Sequence, residues 1–189
     1  MNLLTLVGAL PLVGAALIYL IPTKDSELVK KFALLVTSLV AIAAIFLAVG
    51  FDKSITSLQY AQSYSWIPTF NINFALGIDG ISLVLILLST ILVPIVILAT
   101  WNESEGGRWS VKTFYILILV LETMMIGVFA ATDVFLFYVI FEAMLIPVYF
   151  LIGGYGSGER SAAAVKFLIY SLVGGLLMLA SIIALYVMS

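Results

Sequence analysis

The sequence contains no cysteine and no histidine. Without thiolates or imidazoles it cannot ligate an iron–sulfur cluster, a haem or a structural zinc, form a disulfide, or run a Ser-His or Cys-His nucleophile. Charge is scarce as well: eight Lys plus Arg and ten Asp plus Glu make 10% of 189 residues, with a formal net charge of −2. A soluble globule carries about a quarter charged residues, so this chain has too few to cover one. No cluster of Lys and Arg is present to neutralise phosphates, which argues against a nucleic-acid partner. Carboxylates, lysines, tyrosines and backbone are what remain for chemistry.

What is abundant is apolar: 64% of the residues are hydrophobic. A spanning helix needs about 20 mostly apolar residues to cross about 30 Å of hydrocarbon. Windows of that size fall at about 2–21, 32–50, 81–100, 113–130, 133–152 and 161–188. Unbroken apolar runs, rather than alternating polarity, exclude a membrane β-barrel. The fold class expected is therefore all-α, a polytopic transmembrane bundle of six spans forming one domain over 1–189. The N-terminal run lacks a basic n-region and reads as the first span rather than a cleaved leader. Lys24, Lys30, Lys31, Arg108, Lys112 and Arg160 fall in connections on one side and Lys53 alone on the other, so the positive-inside bias places the N-terminus and Ser189 outside.

The one long connection, 51–80, would lie outside. Its Tyr60, Tyr64, Trp66, Pro68 and Phe70 suit the headgroup level, and the alternation of Ile72, Phe74, Leu76 and Ile78 suits one short strand. Asp79-Gly80 is placed to cap the third helix. The run 153–158, Gly-Gly-Tyr-Gly-Ser-Gly, matches neither phosphate-binding glycine pattern and is expected to be a turn.

Three ionisable side chains fall inside spans: Glu122, Glu142 and Lys166. Each costs about 2.5–3.5 kcal/mol or more at the bilayer centre, a cost that packing does not explain. Glu122 and Glu142 each stand ten residues from Thr132, so a tight hairpin of helices four and five puts both about 15 Å from the turn, near mid-membrane. If both face the seam they can share a proton directly or through a water; otherwise each hydrogen-bonds a neighbouring helix. Pro147 frees the Ala143 carbonyl beside Glu142, and Tyr138 and Tyr149 share the glutamate's face, either as a proton wire or as packing. Taking the turn after helix five at Gly156, Glu142 pairs with a position near Tyr170 or Ser171. Lys166 then lies nearer the inner side and either snorkels or serves as counter-charge.

Several strings resemble a known family: Trp66-Ile-Pro, Leu76-Gly-Ile-Asp-Gly-Ile-Ser-Leu83, Phe137-Tyr-Val-Ile-Phe-Glu-Ala-Met-Leu-Ile-Pro147, Gly153-Gly-Tyr-Gly156, Arg160 and Ala164-Val-Lys-Phe-Leu-Ile-Tyr170. Together and in this order they resemble the N-terminal part of the antiporter-like, proton-pumping membrane subunits of respiratory complex I, the subunit M or chain 4 type. The resemblance covers nearly the whole chain from about residue 60. It implies an antiporter-like fold and a proton-translocating subunit of an NADH:quinone oxidoreductase, in a hetero-oligomer of membrane subunits in the bacterial inner membrane. It also implies no cofactor in this chain, with NADH, FMN, Fe–S clusters and quinone in partner subunits. Glu142 matches the family's half-channel glutamate, Glu122 its helix-four glutamate, and Lys166 the basic residue of its Lys-Phe-x-x-Tyr string. Family members have about fourteen helices, with a lysine partner for the glutamate on a broken helix seven. A chain of six helices is therefore expected to be part of a longer subunit. A cation/proton antiporter subunit and a non-transporting scaffold, with the glutamates as buried glue, are the other readings.

Overall fold

The computed structural model describes residues 2–22 and 25–188, with the side chains of 103 and 104 left aside. Lys24 and Ser189, placed by the sequence on opposite sides of the membrane, lie outside the described residues. Six helices long and apolar enough to span a membrane are present among those described: α1 Leu3–Leu20, α2 Ser26–Val49, α3 Gly80–Ala99, α4 Val111–Ala130, α5 Val134–Tyr155 and α6 Arg160–Met188. Side-chain oxygens start three of them. Asp79 accepts from the Ser82 N–H, Ser110 from Thr113, and Asp133 from both Phe135 and Leu136. The bond from Ser82 also holds the Asp79 carboxyl below its ordinary range.

The second helix begins six residues before the expected 32. Its first turns are polar, so hydropathy alone assigns them to a loop, but Glu27 suits the positive end of a helix and Lys30 is buried rather than exposed. Lys30 Nζ donates to Glu105 Oε1 at 2.6 Å and Glu27 Oε1 at 3.3 Å, and stands 5.7 Å over the Trp101 ring. Lys30 and Lys31 are therefore helical residues, and Lys30 fastens α2 to the α3–α4 connection.

The long connection is also more ordered than expected. It forms two strands rather than one, β1 Gln59–Ile67 and β2 Ile72–Ile78, paired antiparallel with irregularities at Gln59/Gln62 and Ser65/Ile67. The hairpin is tied to α1 by Asn2 donating to the Tyr60 carbonyl and Thr5 to Gln62. It is tied to the α4–α5 turn by Thr132 N–H donating to the Ala75 carbonyl and Asn73 N–H to Asp133 Oδ2.

Helix α4 is the hub, packed against α1, α2, α3 and α5, whereas α6 leans on α5. The core runs through Val7 and Ile18 of α1, Ala33 and Val40 of α2, Ile86 and Ile97 of α3, and Leu119 and Ile126 of α4. Small residues set the spacing: Gly14 lies against Val36 and Gly8 against Ile126. Of the expected glycine-rich turn, Gly153, Gly154 and Tyr155 are helical and close α5, because Gly154 leaves room for the Trp109 ring and Tyr155 donates to the Ser110 carbonyl. The reversal itself is carried by Gly158, at φ +65°.

Candidate proton-carrying carboxylates

Glu122 is fully buried, and among the described residues neither of its carboxyl oxygens has a hydrogen-bond partner. It shares a face of α4 with Ile126, one turn on, and a Cβ added at Gly8 of α1 would stand 3.6 Å from Ile126 Cγ2. Gly127, five positions from Glu122 and about 140° round the helix, is the residue that meets Ile140 of α5. Glu122 thus points into the α1–α4 core and not into the α4–α5 seam. Thr123, whose hydroxyl is buried and unpartnered, does share the side of Gly127.

Glu142 is half-buried, and its Oε1 is likewise without a hydrogen-bond partner among the described residues. It stands two positions from Ile140, on the opposite side of α5, and its carboxyl lies against Gly175 of α6. The equal depth read from the sequence agrees with the short Ala131–Asp133 connection, but the two glutamates face away from one another. The conditional shared-proton pair is therefore not formed in this arrangement. Hydrophobic periodicity carries no sign of this, since both helices are apolar on every side.

Lys166 is exposed. The turn lies later than Gly156: the contacts of Gly153 with Ala164 and of Glu142 with Gly175 are both centred between Gly158 and Glu159. Glu142 therefore meets α6 a full turn beyond the expected Tyr170 or Ser171. Lys166, nine positions from Gly175, is on the opposite side of α6 and about 13.5 Å along it, so it is not brought to Glu142. Pro147 is inside α5 and buried, and its missing N–H leaves the Ala143 carbonyl without its usual helical donor. The Tyr138 and Tyr149 rings pack on Phe135 and Phe150, with centroids 6.4 and 5.4 Å apart.

The sequence matches bear on this arrangement directly. Residues 13–128 match the family described as NADH-ubiquinone oxidoreductase chain 4, amino terminus. The chain belongs to that family. Residues 131–189 match a second family description, NADH:quinone oxidoreductase/Mrp antiporter, TM. Among curated family members, the chain is 41% identical over 213 residues to NADH-quinone oxidoreductase subunit M of Mycobacterium tuberculosis, covering 98% of this chain and 38% of that protein. Among solved structures it is similar to a chain of respiratory complex I from Thermus thermophilus with bound NADH, at TM-score 0.82 and 28% identity, covering 98% of this chain and 36% of that one. The fold also matches the Mrp complex from Dietzia sp. DQ12-45-1b, at TM-score 0.75 and 20% identity, over 94% of this chain and 18% of that chain. The chain thus has the antiporter-like membrane fold and spans somewhat over a third of the length of the subunit M and complex I chains it matches.

Proposed function

We propose that this chain is the N-terminal part of a proton-translocating membrane subunit of an NADH:quinone oxidoreductase, seated with other membrane subunits in the bacterial inner membrane. NADH, FMN, iron–sulfur clusters and quinone belong to partner subunits in this reading. The observation that carries it is a pair of carboxyls inside spanning helices with unpartnered buried oxygens, at Glu122 and Glu142. A buried polar atom left unpaired costs about 1–3 kcal/mol, which structural glue would not retain twice.

Because the two face apart, each works as a separate holding site rather than as half of a dyad. Glu142 holds a proton in the α5–α6 seam and Glu122 holds one in the α1–α4 core. Thr123, adjacent to Glu122 in sequence and directed to the α5 side, offers a hydroxyl that can accept and donate through bridging water. Lys166, on the outward face of α6, has no part in holding a proton at Glu142 within this chain and serves a more remote step. The match at 131–189 is shared with antiporters, so a cation/proton antiporter subunit is the second reading; the match of 13–128 to the chain 4 amino terminus and the 41% identity to a subunit M favour the first.

The test is Glu142→Gln in the full-length subunit within the assembled complex. Proton uptake into inverted vesicles is expected to fall by about a hundredfold or more, the loss typical of removing a proton-transfer group. Parental pumping by an assembled Gln variant would instead favour the scaffold reading.

A further inference from the structure

Of the glycines in the described helices, Gly175 is the one at which an added Cβ would be most crowded. A Cβ built there would overlap Glu142 Oε1 and crowd the rest of the carboxyl. Gly175 and Ala164 are the two buried residues of α6, which packs on α5. Its neighbour Gly174 has nothing within 4 Å of an added Cβ. Neither glycine has a positive φ, so backbone conformation does not require glycine at either position. A helical glycine costs about 0.5–1 kcal/mol relative to alanine, and small residues in membrane helices ordinarily recover that by letting backbones approach. At 175 the vacated space is filled by an acid whose Oε1 finds no hydrogen-bond partner there.

We propose that Gly175 is a positioning residue: its missing side chain forms the seat that holds the Glu142 carboxyl in the α5–α6 seam. The inference rests on the role given to Glu142 above. The seat is shielded by α6 from Lys166, which leaves on the far side of the same helix. A methyl group at 175 cannot coexist with the carboxyl where it now lies, so the acid must rotate out of the seam or the two helices must part. A proton-transfer group displaced by about 1 Å loses on the order of a hundredfold in rate when geometry is tight, so the displacement is expected to be visible in function.

The experiment compares Gly175→Ala with Gly174→Ala in the full-length subunit within the assembled complex. One readout is modification of Glu142 by dicyclohexylcarbodiimide, a lipid-soluble carboxyl reagent, followed by peptide mass; the other is proton pumping. Gly175→Ala is expected to raise Glu142 modification severalfold and to lower pumping, while Gly174→Ala leaves both at parental levels. Adding Glu142→Asp, one methylene shorter, to Gly175→Ala should recover pumping relative to Gly175→Ala alone, which loosened helix packing would not explain. Parental modification in Gly175→Ala, or equal effects at 174 and 175, would overturn the seat. Increased modification with pumping intact would keep the seat and instead remove the working role of Glu142.

Discussion

At position 154 the absence of a side chain is what lets one connection dock. A Cβ on Gly154 would overlap the Trp109 ring, which packs edge-on against Phe150 and Tyr155, while the Arg108 N–H donates to the Gly154 carbonyl at 2.7 Å. Gly154→Ala is expected to undock residues 107–110 at about 1–3 kcal/mol, the usual penalty of overpacking. Tryptic cleavage after Arg108 in membranes should then accelerate, and an unchanged cleavage rate would show that the ring can yield. Single residues were legible in the sequence where they broke the local rule. Glu122 and Glu142 stand out because charge interrupts apolar runs, and both prove to have unpartnered buried oxygens. Their directions were not legible, because a helix that is apolar all round gives its hydrophobic pattern no preferred side. Gly175 carries no mark in the sequence, since the group that needs its space is 33 positions away in the chain.

Among the elements, the six spans were legible to within two residues at most ends, because each is an apolar run of about the length a bilayer needs. The start of α2 was missed since its polar turns are paired through Lys30, and a burial that depends on Glu105 is invisible locally. The second strand was missed for a similar reason. Irregularities at Gln59/Gln62 and Ser65/Ile67 break the period of two in β1, whereas β2 keeps it. The resulting hairpin depends on Asp133, which accepts from Phe135 and Leu136 with Oδ1 and from Asn73 with Oδ2. Asp133→Ala should cost about 1 kcal/mol for the cap and loosen β2 as well. Hydrogen exchange is the check: the amides of Asn73, Phe135 and Leu136 should exchange faster together. Protection lost at the helix but kept at Asn73 would show that Thr132 and Ala75 hold the hairpin unaided.

For the whole molecule, up-and-down connectivity puts the hairpin, the α4–α5 turn and the end of α6 on one face, with Lys30, Lys31, Arg108, Lys112 and Arg160 toward the other. The basic side is stitched as well as charged: Lys112 Nζ donates to the carbonyls of Tyr19 and Ile21, closing the end of α1. By the positive-inside bias the hairpin face looks outward. Residues 1–189 contain no cysteine, so single cysteines at Ser57 and Glu159, each read as its own labelled peptide against the parent, allow a direct check with an impermeant maleimide. Position 57 should react from outside and 159 from the cytoplasmic side, and the reverse pattern would invert the orientation.

The length of α6 has a consequence for where its residues sit in depth. Its 29 residues extend about 43 Å, against about 30 Å of hydrocarbon, and its last turns, through Leu179, Ile182, Ile183 and Tyr186, border a groove with Ile67, Phe70 and Ile72 of the hairpin. Lys166 is the last charge on the helix, and the 22 residues that follow, 167–188, extend about 33 Å, close to the hydrocarbon thickness. The first two turns of α6 therefore stand at the basic face, and Gly175 falls near the middle of the uncharged stretch.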